Sequence, residues 1–110
     1  MVGKSNINIL EVRTRERILR VLYDGKERSA YKIAKEIDMA IATVIEHLEK
    51  LREAGLVEMR DATKGNLKRR FYKITDKGKE LLLKYYQNLA KEIKKNEEIA
   101  RTFADFLGRL

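Results

Sequence analysis

The 110-residue chain contains no cysteine, no proline, one histidine and one glutamine. Without cysteine, disulfides, thiolate metal sites and cysteine nucleophiles are excluded together. His47 has no acidic cluster at ligand spacing around it, so a packed or groove-facing histidine is expected, and no metal. No apolar run approaches the roughly 20 residues of a membrane span, and the N-terminus has no apolar signal block, so a cytoplasmic location is expected and no membrane partner. No glycine-rich phosphate loop, nucleophile elbow or paired-carboxylate arrangement is visible. Neither an enzyme nor a bound cofactor is expected.

Charge is abundant instead. Charged residues make up 38% of the chain, a balance often seen in thermophilic proteins. Lysine plus arginine exceed aspartate plus glutamate by 25 to 17, a net charge of +8 with a pI near 9.8. Solvated surface and a polyanion partner compete to explain this excess. Its location favours the polyanion, because Arg60, Lys64, Lys68, Arg69, Arg70 and Lys73 face Asp61 alone over residues 60–73.

Hydrophobic spacing supplies the architecture. Ile7, Ile9, Leu10 and Val12 fit a short strand or a short helix. A helix capped by Thr14 carries Ile18, Leu19 and Leu22 and stops at Asp24-Gly25. Ser29 caps the next, residues 31–37, and Val44, Leu48 and Leu51 mark a third over residues 40–54. Only Asp38 and Met39 separate these last two, so they must cross steeply, the geometry of a helix-turn-helix. Gly55 ends the third helix. Residues 56–60 and 69–74 then read as strands around a Gly65-Asn66 turn. The expected fold is mainly α with a small β-hairpin (α+β), a winged helix-turn-helix with a long C-terminal helix or helix pair. One domain is expected over residues 1–75 and a helical dimerisation segment over 76–110.

The C-terminal segment, capped by Thr75 or Asp76, holds a heptad seam. Leu82, Tyr86, Leu89, Ile93, Asn96, Ala100, Phe103, Leu107 and Leu110 step by four and three. An unbroken helix over 76–107 would be about 48 Å long at 1.5 Å per residue, more than a small domain covers, and a second copy of the chain would cover it. The other reading is two helices broken near Lys95-Asn96-Glu97 that fold back on their own domain. Tyr85 and Tyr86 lie in seam or core register.

The runs IAKEIDMAIATVIEHLEKLREAGLVE and RRFYKITDKGKELL resemble the winged-helix regulators of bacteria and archaea in the broad ArsR, MarR and PadR group. They also resemble archaeal chromatin-associated winged-helix proteins that dimerise through a C-terminal coiled coil. The likeness covers roughly residues 14–83. It is most specific at Glu46-His47-Leu48 through Gly55-Leu56-Val57 and at Tyr72, Ile74, Thr75 and Gly78. It implies a homodimer on double-stranded DNA, with helix 40–54 in the major groove, the hairpin on backbone or minor groove, and terminal helices at the dimer contact.

The candidate DNA-binding residues are Ser29, Tyr31, Lys32, Ala40, Ile41, Ala42, Thr43, Ile45, Glu46, Lys64, Asn66, Lys68, Arg69 and Arg70. The wing cations and Asn66 suit phosphate. Ser29, Tyr31 and Lys32 stand where a helix N-terminus can meet a phosphate, although Tyr31 equally fits the core. At Ala40, Ile41, Ala42 and Ile45 the chain departs from the resembled family, which carries polar base-reading side chains there. Ile41 and Ile45 then read thymine methyls, or binding has little sequence preference, or the ridge meets another protein. Arg13, Arg15, Arg17 and Arg20 extend the DNA footprint or are plain surface. An effector and the target site are not legible.

Overall fold

The computed structural model describes residues 9–93 and 97–109. A 3-10 turn, Ile9–Glu11, leads into α1, Arg13–Leu22. Then follow β1, Arg28–Ser29; α2, Ala30–Ile37; α3, Ile41–Glu53; β2, Val57–Lys64; β3, Leu67–Ile74; α4, Asp76–Ile93; and α5, Glu97–Leu107. The antiparallel sheet has the order β1-β3-β2, with Arg28 opposite Tyr72 and Val57 opposite Ile74. The expected winged helix-turn-helix is present, and the two-residue β1 adds a third strand to the expected hairpin.

Apolar spacing builds one core. Ile18, Leu19 and Leu22 of α1, Ile33 and Ile37 of α2, and Val44, Leu48 and Leu51 of α3 are all buried. Leu10, Leu56, Tyr72, Ile74 and Leu82 close the cluster. Each large aliphatic side chain buried in this way contributes roughly 1.5–3 kcal/mol. Leu10 joins the core from the 3-10 turn, which resolves the strand-or-helix ambiguity there; Ile7 lies outside the described residues.

The helix ends follow from a few residues. Ser29 Oγ accepts the Lys32 backbone N–H at 3.2 Å, so the expected cap of α2 is present. Thr14 is not a cap: α1 begins at Arg13, and the Val12 carbonyl accepts from both Arg15 N and Glu16 N. Asp38 closes α2 in the left-handed region, φ 56°, and the Ala34 carbonyl accepts the Met39 N–H at 3.0 Å. Arg17 donates to the Ile37 carbonyl at 2.8 Å, placing a cation at the negative end of α2 and tying α1 to the turn. Gly55, φ 77°, ends α3 in a Schellman motif: Leu56 N–H bonds Leu51 O and Gly55 N–H bonds Arg52 O, each at 2.9 Å.

The wing is anchored at this Gly55-Leu56 corner. Thr75 N–H donates to Leu56 O at 3.0 Å, Thr75 Oγ1 donates to Gly55 O at 2.7 Å, and the same Oγ1 accepts Gly78 N–H at 3.0 Å. Thr75, rather than Asp76, therefore caps α4. A Cβ on Gly78 would stand 2.3 Å from Leu56 O, so only glycine lets α4 approach this closely.

The C-terminal segment takes the folded-back form. A continuous helix would separate Leu82 from Leu107 by about 37 Å. Here both line one apolar cavity of about 390 Å³ with Phe103 and Phe106, and the Arg20 guanidinium lies 4.5 Å from the Phe106 ring centre. The chain's own α1 covers the first half of the seam: Leu82 is in the core, and Tyr86 hydroxyl bonds the buried Glu16 carboxylate, which also holds Arg20 at 2.9 Å. Burial and the adjacent carboxylate push the Tyr86 hydroxyl pKa far up.

Candidate nucleic-acid interface

The core positions α3 by its inward row, Val44, Leu48 and Leu51, which leaves Ala40, Ile41, Ala42, Ile45 and Glu46 exposed on the other side. Ile41 and Ile45, one turn apart, are 42% and 41% exposed. Thr43 is half-buried. His47 turns toward α1, where its Nδ1 accepts from Arg15 Nε at 3.2 Å, and burial together with the Arg15 charge holds its pKa below the ordinary value. It is thus the packed histidine of the two expected kinds. Glu49 is held by Arg52 at 3.1 Å.

The wing is a regular eight-plus-eight ladder closed by Gly65-Asn66, with Lys64 opposite Leu67. Gly65 alone takes positive φ, 65°, which is the pattern of a type II′ turn. The cations divide into two groups. Arg60 is fastened to Glu27 at 2.8 Å and lies over Phe71; Arg70 is fastened to Asp61 at 3.0 Å. Each carboxylate raises the pKa of its arginine through the shared hydrogen bond. Lys64, Lys68, Arg69 and Lys73 are exposed and make no ion pair among the described residues. The sequence count of six cations against one acid therefore overstates the free charge, because Glu27 comes from outside the hairpin.

At the α2 start, Lys32 and Tyr31 are exposed, and Tyr31 is not a core residue. Of the α1 arginines, Arg15, Arg17 and Arg20 are engaged with His47, Ile37 O and Glu16. Sequence reasoning passed over Leu67, exposed at the wing tip next to the turn. Its place beside Asn66 was the only available signal.

Among the expected dimer residues, Leu82 is buried in its own core and Tyr86 is bonded to Glu16, so neither is free for a second chain in this arrangement. Leu89 and Phe103 are half-buried and Leu107 is exposed. Asn96 and Leu110, and the side chains of Ile93 and Ala100, lie outside the described residues. Among the described residues, no helix is long and apolar enough to cross a membrane.

Residues 13–59 match the model of a family described as "Bacterial regulatory protein, arsR family". This stretch is thus similar to that family, and the chain as described has the winged helix-turn-helix fold. A transcriptional regulator homologue from Pyrococcus horikoshii OT3 has the same fold, with 23% identity, 86% of this chain and 95% of that one covered, and a TM-score of 0.73. PadR of Bacillus subtilis, solved in complex with operator DNA, shares it at 24% identity over 86% of this chain and 67% of that one, TM-score 0.59. The homodimeric winged helix-turn-helix DNA-binding domain of Mb0332 from Mycobacterium bovis, a possible ArsR-family regulator, is 28% identical over 86% and 81% of the two chains, TM-score 0.65. None of the curated proteins matches the sequence.

Proposed function

We propose that this chain binds double-stranded DNA as a homodimer and regulates transcription, with the wing on phosphates and α3 in the major groove. The observation that carries this reading is the free charge of Lys64, Lys68 and Arg69 in a domain whose other arginines are largely paired. Unpaired cations on a two-stranded ribbon give up little to meet a phosphate and release counterions when they do. Asn66 at the tip and Lys32 at the α2 start extend the same surface. The Bacillus relative with operator DNA and the homodimeric Mycobacterium domain support the reading by fold.

Dimerisation is assigned to α4 and α5. Leu83 and Leu107 are 48% and 50% exposed, and they, with Leu89 and Phe103, are the apolar groups left to a second copy once Leu82 and Tyr86 are used internally. A two-fold pair would set the two α3 helices about 34 Å apart, one turn of DNA. Sedimentation equilibrium tests the pairing: Leu83→Asp with Leu107→Asp gives a monomer, and a wild type that remains monomeric at high micromolar concentration removes the dimer. DNA binding is tested by titrating salt against a mixed-sequence duplex, where log affinity falls linearly with log salt concentration by about 0.9 per neutralised phosphate. A second reading, a protein-interaction module, is favoured by the exposed Ile41 and Ile45. Complete absence of duplex binding at low salt would select it.

A further inference from the structure

We propose that Ile41 and Ile45 make α3 a reader of pyrimidine C5-methyl groups, so that its preferred duplex sites place thymine methyls against these two side chains. This methyl readout rests on the DNA-binding reading above and specifies what that helix recognises.

Recognition of guanine and adenine edges uses Arg, Lys, Asn or Gln, and α3 has none of these before Lys50. Two of the four polar side chains that precede Lys50 already have partners within the chain. His47 Nδ1 is taken by Arg15, Glu49 holds Arg52, and Thr43 is half-buried. Glu46 remains, exposed, and a carboxylate only accepts. The outward surface of the first two turns is therefore Ala40, Ala42, Ile41, Ile45 and one acceptor. In the major groove the feature that apolar side chains match is the thymine methyl, while Glu46 suits a cytosine amino group.

Charge identifies the occupant of this ridge. Lys64, Lys68, Arg69 and Lys32 are exposed on the same domain, so the complementary partner is a polyanion that also offers apolar groups within a groove. Duplex DNA meets both conditions. Because 5-methylcytosine carries its methyl at the same ring position, the ridge accepts it as well.

Duplexes selected from a random pool are resynthesised with uracil in place of thymine, which keeps pairing and phosphates and removes only the methyls. Binding is measured at low salt. Removal of each methyl that the ridge touches lowers affinity about fourfold, the equivalent of about 0.8 kcal/mol per buried carbon. Ile41→Ala combined with Ile45→Ala removes the thymine-over-uracil ratio while its thermal unfolding stays that of the wild type. Lys68→Ala with Arg69→Ala weakens both duplexes and keeps the ratio. Equal wild-type binding to both duplexes overturns the methyl readout and leaves DNA binding standing. A ratio that survives in the double isoleucine variant overturns the assignment to these side chains. Failure to bind either duplex, with Ile41→Asp abolishing a protein complex, overturns the DNA-binding reading itself.

Discussion

The wing tip and the outward face of α3 are both exposed, yet they are built from opposite materials. The tip carries Lys64, Lys68 and Arg69 with no acidic partner among the described residues. The helix face carries isoleucine and alanine, with Glu46 as its one free charge in the first two turns. Their supports differ too: α3 is fixed by three buried side chains and a Schellman motif, whereas the distal wing is a two-stranded ribbon with an exposed surface. Long-range charge tolerates an imprecise carrier, but apolar contact decays within one atomic diameter and needs a rigid one. In the proposed DNA-binding role, the difference would separate affinity from discrimination.

Removing the charged half should have the largest effect. Lys64→Ala, Lys68→Ala and Arg69→Ala together should weaken binding to every duplex alike and lower the salt slope by about 0.9 for each phosphate no longer neutralised, read by anisotropy across a salt series. A slope equal to wild type would show that the wing does not meet phosphate. Next comes Gly78→Ala, which strikes the support shared by both regions. Its Cβ would meet Leu56 O at 2.3 Å, so thermal or urea unfolding should show a decrease in stability of about 1–3 kcal/mol, the usual scale of overpacking. Binding by wing and helix should fall together.

A smaller change sharpens the electrostatic side. Asp61→Asn should release Arg70 for a phosphate and steepen the salt slope by about 0.9, the value for one phosphate, since an exposed pair contributes little to stability. An unaltered slope would mean that Arg70 points away from DNA. The smallest effect is a pH dependence on the helix side. His47 is held below its ordinary pKa, first by burial and then by Arg15, so the folded state favours the neutral ring and the unfolded chain takes up a proton first. Its contribution is therefore present above pH 6.5 and lost as pH falls below it. His47→Asn should flatten that part of a stability-versus-pH curve measured by denaturant titration.

Much of this contrast was legible in the residue order. The 3.6-residue rows of α1 to α3, the Ser29 cap, the Gly55 stop and the Gly65-Asn66 turn are local signals, each read from a few neighbouring residues. The outward placement of Ile41 and Ile45 followed because Val44, Leu48 and Leu51 had already claimed the inner side. Thr14 misled because a threonine before an apolar row resembles a cap, whereas the Val12 carbonyl closes that turn. The strand Arg28–Ser29 is too short to leave any periodic mark, and it exists only because β3 supplies its partner.

By itself, then, the sequence determined the elements, their order and the sign of the charge, because periodicity, caps and turn residues act over a few positions. Tertiary structure decided which charges are free and where the C-terminal helices go. Arg60 finds Glu27 across 33 residues and Tyr86 finds Glu16 across 70, pairings that no local pattern encodes. The heptad spacing from Leu82 to Leu107 is equally satisfied by a second chain or by the chain's own α1. Packing shows only that α1 takes Leu82 into the core and sets Arg20 over Phe106, because burial rewards any apolar surface that fits and spacing alone does not say whose surface it is.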